Sequence, residues 1–314
     1  MKRVAVIGAG AFGRNHLRVV KESARVNLSG VLDIDVARST AAARDFQCTA
    51  FQSLEELAAD SDAAVVAATT GAHADIGCRL LEAGIDVLME KPIAEDGAGA
   101  RRLIAAAGSA RILQIGHLER FNPAILALHG RVTTPLFFEI HRMSPFSPRS
   151  LDVDVVLDLM VHDIDLVLHF TRQQPSEIRA AGISVLSSTV DIANVRIAFP
   201  NGCVTNLTAS RVSTERIRKM RLFQPRQYIS VDYARQDGVI FSVSDAGQIG
   251  FQPLPVEKVE PLKAQFDAFV DSIETRQPPA CGAVEGARAL EVALDILDKI
   301  EEHSAIVARS LGVN

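Results

Sequence analysis

The stretch VVLDLMVHDIDLVLHF, Val155 to Phe170, carries Asp158, His162, Asp165 and His169 at spacings of four, three and four within a run that is otherwise apolar. On a regular α-helix those intervals place the four side chains along one face. A carboxylate one turn from an imidazole can orient and polarise it, and the imidazole can then give or take a proton. Burial of an unpartnered carboxylate is strongly unfavourable, so Asp158 needs a cavity, a cation or a hydrogen-bond partner. A structural Asp/His pair would satisfy the same need, and Asp165 and His169 are read as extending such a network. No other His/Cys cluster accompanies the stripe, and Cys48, Cys78, Cys203 and Cys281 are scattered, so neither a metal site nor a disulfide is expected.

A second chemical group ends the run IDVLMEKP. Proline excludes helical geometry at the residue before it, which holds Lys91 extended at the carboxyl end of its strand, where open α/β sheets bind ligands. A lysine at such a place can handle a proton once burial or neighbouring positive charge lowers its ordinary pKa of about 10.4. Taken alone, the triplet Glu90-Lys91-Pro92 also fits two solvated charges ahead of a strand-ending proline.

A third group is the loop Gly8-Ala9-Gly10-Ala11-Phe12-Gly13, which follows the strand VAVI and opens a helix. Its first glycine permits a tight turn, its second lets backbone amides approach a pyrophosphate, and its third lets helix pack on strand. Asp33, some twenty residues on at the end of GVLD, is placed to accept hydrogen bonds from the ribose hydroxyls of NAD and to repel the extra phosphate of NADP. Arg38 lies nearby but is read as solvent-facing at a helix start.

The elements that must position these groups divide the chain in two. Up to about Gly116, short apolar strands alternate with helical segments, the pattern of a parallel sheet with helices on both faces. Beyond it come long alternating segments, PLFFEIHRM, IANVRIAF, CVTNLTASRV, YISVDYA and GVIFSV among them, with Asn201-Gly202 between two of them as a hairpin turn. A helical tail closes the chain. The expected class is therefore α/β: an N-terminal Rossmann dinucleotide-binding domain, 1–118, plus a C-terminal α+β domain with a large mostly antiparallel sheet, 119–314, whose last helices pack back on the first. A chain of 314 residues, 48% hydrophobic and with a net charge of -5, offers no electrostatic footprint for nucleic acid. With no apolar run long enough for a bilayer and no signal-peptide core, a cytoplasmic protein without membrane contact is expected.

In order along the chain, Gly8-x-Gly10-x-x-Gly13, Thr69-Thr70-Gly71-Ala72-His73, Glu90-Lys91-Pro92 and Asp158-x-x-x-His162 resemble the signature series of the Gfo/Idh/MocA oxidoreductases. The resemblance covers essentially the whole chain. It implies that NAD is bound by Gly8, Gly10, Ala11, Phe12, Gly13, Asp33, Thr69, Thr70, His73, Glu90 and Lys91. It also implies that Lys91, Asp158 and His162 surround the carbon that gives up hydride, and that the second domain carries substrate contacts and the interfaces of a homo-dimer or homo-tetramer. Asp152-Val153-Asp154 stand where many relatives carry glycines, which leaves the shape of that loop open.

The run GHLERFNPA at the domain boundary offers His117, Glu119, Arg120 and Asn122 to a polar, anionic ligand, with Arg120 suited to a pyrophosphate. It also fits a helix start with Asn122 as cap and Pro123 at the first helical position. It resembles the branch of the family acting on UDP-N-acetylated sugars, particularly the UDP-N-acetylglucosamine 3-dehydrogenases. In the accompanying segment SRVSTERIRKMR, residues Arg211, Arg216, Arg218, Lys219 and Arg221 read as a solvated strand and loop rather than a phosphate clamp. The branch implies oxidation of the sugar C3 hydroxyl to a ketone. A pyridoxal-phosphate aminotransferase would then make the 3-amino sugar of a lipid A type pathway. A dehydrogenase for a UDP-sugar uronate or a polyol, and a non-catalytic cofactor-binding regulator, are the alternatives.

Overall fold

The computed structural model describes residues 1–147 and 153–311. The chain divides into two compact units, Met1–Leu118 with Glu260–Leu290, and Glu119–Val259 with Glu291–Asn314.

In the first unit, β1 (Lys2–Ile7), α1 (Ala11–Glu22), β2 (Val26–Leu32), α2 (Val36–Phe46), β3 (Thr49–Ala50), α3 (Leu54–Ala59), β4 (Ala63–Val66), α4 (His73–Glu82), β5 (Asp86–Glu90), α5 (Gly97–Ala107) and β6 (Leu113–Gly116) alternate. The strands form one sheet in the order β3-β2-β1-β4-β5-β6, every pair parallel. The four residues of β4, AAVV, are all buried, as a strand covered on both faces requires. The order reverses between β1 and β4, so the glycine loop after β1 lies at the switch point where doubly wound sheets bind ligands.

The second unit begins with a 3₁₀ turn over Leu118–Phe121 and a short α6 (Pro123–Leu126), capped by the Asn122 side chain on the amide of Ala124, with proline in the first turn. Strand β7 (Phe137–Met143) follows, and then a π-helical turn, Val156–Met160, that runs into α7 (Val161–Thr171). Strands β8 (Glu177–Ile183), β9 (Ile192–Ala198), β10 (Val204–Ser210), β11 (Ile217–Gln224), β12 (Gln227–Asp232), β13 (Asp237–Val243) and β14 (Ile249–Pro253) complete an eight-stranded sheet ordered β14-β13-β12-β11-β7-β10-β9-β8. Among the described residues of this sheet, β7 and β10 alone pair in parallel. Gly202, at φ +86°, makes the β9–β10 turn expected of Asn-Gly. In β7 burial alternates, so Phe138, Ile140 and Arg142 share the inner face.

Two helices close the chain, α8 (Pro261–Thr275) and α9 (Ala283–Leu311). Leu262, Phe266, Phe269, Val270 and Ile273 of α8 join Leu17 and Val20 of α1 and Val4, Val6, Val31 and Val65 of the parallel sheet in one core. Among the described residues, no helix is long and apolar enough to cross a membrane.

Candidate active site

The first unit places its candidate residues at the carboxyl ends of β1, β2, β4 and β5. Gly8 turns at φ +96°, and a Cβ there would lie 2.4 Å from the Ala67 carbonyl oxygen. A Cβ on Gly13 would meet the Gly8 carbonyl oxygen at 1.9 Å, so α1 can approach its strand only through a glycine. Gly10 differs, since nothing stands within 4 Å of its would-be Cβ. It also begins α1 without a side-chain cap, and the first turn carries no acid. The result is an uncapped helix start with open space beside it, and the amides of Ala11, Phe12 and Gly13 fit the pyrophosphate of a dinucleotide there.

Asp33 sits across this loop, one carboxylate oxygen 2.6 Å from the Ala9 amide and the other 2.8 Å from the Asp35 amide. The bonds fix the carboxylate. Arg38 is 54% exposed, solvent-facing as read from the sequence, and leans on Asp35. Thr69 is exposed and Thr70 half-buried, and the chain turns there into α4. His73 is buried, with Nδ1 2.9 Å from the Pro92 carbonyl and Nε2 3.1 Å from that of Ala68. Burial pushes its pKa down while the two facing carbonyls oppose that, and the ring sits between the loops at the ends of β4 and β5.

At the end of β5, Glu90 is buried and Lys91 half-buried, joined to Pro92 by a cis peptide. One Glu90 oxygen lies 2.8 Å from Nε2 of the fully buried His16, and the other accepts from the Lys91 amide at 3.3 Å. His117, one residue past β6, is 1% exposed.

The second unit places the stripe on α7. A π-helical turn replaces the regular start of that helix, so Asp158 enters on a wider turn than the four-residue spacing assumes. Asp158 and His162 are half-buried. The loop ahead of them is fixed on one side: the Asp154 carboxylate accepts from the Val190 amide at 2.8 Å, and the Arg211 guanidinium donates to the Val153 carbonyl. Asp152 lies outside the described residues. Arg211 is itself buried, 3.8 Å from Asp191, which corrects its reading as a solvated residue; Arg216, Lys219 and Arg221 are exposed.

The remaining candidates fall into two buried ion-pair clusters. Arg120 grips Asp165 with two 2.7 Å bonds, and its third nitrogen lies 3.2 Å from Nδ1 of His169. Arg142 grips Asp163 with two 2.8 Å bonds and Glu119 with one of 2.9 Å, and stands over the Tyr233 ring. Asn122 joins them, donating to Glu119 and to the Tyr233 carbonyl while it caps α6. Burial pushes the Asp163 carboxyl up against the pull of Arg142. Arg120 is thus engaged with α7, and Asp165 and His169 form the structural network expected of them.

Sequence reasoning passed over Asp163, Arg142, Tyr233 and His16. Asp163 lies off the four-residue stripe, and only its contact with Arg142 gives it meaning. A signal for Arg142 existed, since strict alternation in FFEIHRM puts it in register with Phe138 and Ile140. His16 falls on the buried face of α1 with Gly13, Leu17 and Val20.

The chain is similar to dehydrogenases along nearly its whole length. The chain is 35% identical over 306 residues to the UDP-N-acetylglucosamine 3-dehydrogenase of Acidithiobacillus ferrooxidans, covering 95% of this chain and 97% of that protein. The solved structure of that dehydrogenase superposes with a TM-score of 0.91 over 96% of this chain and 98% of the other. The scyllo-inositol dehydrogenase of Lactobacillus casei, solved with NAD(H) and scyllo-inositol, shares the fold at a TM-score of 0.81 and 18% identity, over 96% and 98% of the two chains. The family profile described as "Oxidoreductase family, NAD-binding Rossmann fold" matches residues 2–117, and that of the GFO/IDH/MocA C-terminal domain matches residues 124–228. With a glycine loop shaped for a dinucleotide and both halves of the fold matched, the chain belongs to the GFO/IDH/MocA family of NAD-binding oxidoreductases.

Proposed function

We propose that the protein oxidises the C3 hydroxyl of UDP-N-acetylglucosamine to the 3-keto nucleotide sugar, using NAD. The observation that carries this reading is the 35% identity to a UDP-N-acetylglucosamine 3-dehydrogenase along nearly the full length of both chains. Bound NAD supplies the hydride acceptor. Lys91, extended at the end of β5, takes the proton from the hydroxyl. His162, oriented by Asp158 on the same helix, holds the oxygen and serves as the second proton acceptor. The amides at the start of α1 hold the pyrophosphate of the cofactor, and Asp33 its adenosine ribose. Glu119, Arg120 and Asn122 serve the substrate indirectly, by fixing the turn and the helix that carry Asp158 and His162.

A 3-keto sugar is reactive, and a pyridoxal-phosphate aminotransferase is its natural consumer, leading to a 3-amino sugar of the lipid A type made in the cytoplasm. The protein works as a homo-dimer or homo-tetramer through the open face of the eight-stranded sheet. Phe137, Phe223, Tyr228, Phe241 and Phe251 line up there across five strands at centroid spacings of 5.7, 4.8, 5.6 and 5.1 Å, and Phe251 is 62% exposed. An apolar ladder of this kind is normally covered.

The test supplies protein, UDP-N-acetylglucosamine, NAD and either a ketone trap or the aminotransferase with glutamate, then follows the trapped ketone or 3-amino product by mass spectrometry. Unchanged UDP-N-acetylglucosamine, with NAD reduced instead by a UDP-sugar uronate or by myo-inositol, would replace this substrate with one of those.

A further inference from the structure

We propose that His16 is a positioning residue for Lys91, acting through Glu90; the inference rests on Lys91 being the proton-transfer group. His16 is 0% exposed on the inner face of α1, and its Nε2 lies 2.8 Å from Glu90 Oε1. An ionised carboxylate only accepts, so Nε2 carries the proton and the ring is an oriented donor. The other nitrogen, Nδ1, is buried without a hydrogen-bond partner among the described residues. A leucine would pack at this place with no orphaned polar atom, so the imidazole is poorly explained by packing alone.

Glu90 is held as closely on its other sides. Its Oε2 accepts from the Lys91 amide at 3.3 Å, and Gly116 on the adjoining strand leaves it room, since a Cβ there would stand 2.8 Å from Oε1. A carboxylate fixed in this way sets both the path of the backbone into Lys91 and the negative charge one residue from its ammonium. The helix matters as much as the ring. His16 lies one turn beyond Phe12, whose ring meets it edge-on at 5.3 Å, and three residues beyond Gly13. A single rigid element therefore carries the amides that face the cofactor's pyrophosphate and the donor that fixes the carboxylate beside Lys91. Cofactor and proton-transfer group are set in register by α1.

The test compares His16→Leu, which keeps volume and removes the donor, with His16→Gln, whose amide can donate to Glu90 again. Turnover of His16→Leu should fall by roughly 10-fold to 10²-fold, as expected for a slightly misplaced reacting group. Its kcat–pH profile should move, its NAD affinity should stay near wild type, and His16→Gln should recover most of the loss. If His16→Leu does not fold, Glu90→Gln is measured alone and with His16→Gln, where losses below the sum mark a shared pathway. Wild-type turnover and pH profile in folded His16→Leu, equal losses in His16→Leu and His16→Gln, or fully additive losses in the second comparison overturn the proposal. Lys91→Met, assayed alongside, separates the two failures: an active Lys91→Met removes the underlying assignment, whereas an inactive one with indifferent His16 variants removes only the role of His16.

Discussion

Arg120 and Asp165 meet through two parallel hydrogen bonds of 2.7 Å, with the side chains 7% and 1% exposed. The pair ties the 3₁₀ turn that opens the second unit to the middle of α7, one turn beyond His162. Fork-to-fork geometry of this kind fixes rotation as well as distance, so the turn of α7 about its axis is set by the guanidinium plane.

Removing one partner leaves a buried charge uncompensated. Arg120→Ala and Asp165→Ala should each lose about 3 to 5 kcal/mol of stability. The double variant Arg120→Met/Asp165→Leu, with apolar groups of similar volume, should lose much less than the sum. Urea denaturation of the three proteins provides the check, and a loss under about 1 kcal/mol for either single change, the range of exposed pairs, would show that the pair does not hold the helix.

His169 makes this cluster sensitive to acid. Arginine only donates, so Nδ1 of His169 accepts from Arg120 and the proton of the neutral ring sits on Nε2. Burial first, and the Arg120 charge next, hold its pKa down to about 4, and the same causes lower that of His129, whose ring centroid lies 5.5 Å away. In the unfolded chain both titrate near about 6.5. Between these values the unfolded state binds more protons, so this contribution to stability is fully present above about 6.5 and is lost as pH falls toward about 4. The denaturation midpoint should drop across that window, and His169→Gln should flatten the drop. An unchanged slope in His169→Gln would assign the effect elsewhere.

What could be read in the sequence followed from how local each signal is. The glycine loop after β1, Asp33 at the end of β2 and the apolar strands of the parallel sheet are set by neighbours within a few residues, and the structure places each of them at those positions. The cap of Asn122 on Ala124 is equally local. The π-helical turn at Asp158 was invisible, because the regular helical period assumes what the turn alters. Asp163 and Arg142 are 21 residues apart and Arg120 and Asp165 45 apart, and nothing local pairs them. The same applies to α8: its apolar face announces a buried helix, but its place against α1 and the parallel sheet depends on a contact made some 250 residues away, such as Arg18 with Glu260.

Asp33 should decide the choice of cofactor. Its two oxygens are held by the Ala9 and Asp35 amides, which fixes the carboxylate at the end of β2, where the extra phosphate of NADP would meet its charge. Like charges placed together cost several kcal/mol, so NAD should bind at least roughly 10²-fold more tightly than NADP. Asp33→Ser should narrow this ratio, mainly by improving NADP. Fluorescence titration with both cofactors measures it, and tighter NADP in the wild type would reverse the assignment.

Lys91 should carry the proton, and its replacement should separate chemistry from binding. The residue is only half-buried and ends the strand whose carboxylate, Glu90, is pinned by His16, so Lys91→Met removes an ammonium without opening a deep cavity. In the proposed site NAD is held chiefly through the start of α1 and Asp33, so its affinity should remain near wild type. Turnover should fall by roughly 10²-fold or more, the usual contribution of a positioned acid–base group. His162→Gln, with its amide still able to hold the substrate oxygen, should lose less. Single-turnover measurements of NAD reduction, paired with NAD titrations of each variant, make the comparison. If Lys91→Met turns over nearly normally while His162→Gln is inactive, the proton passes to His162 and Lys91 becomes a residue of the cofactor site alone.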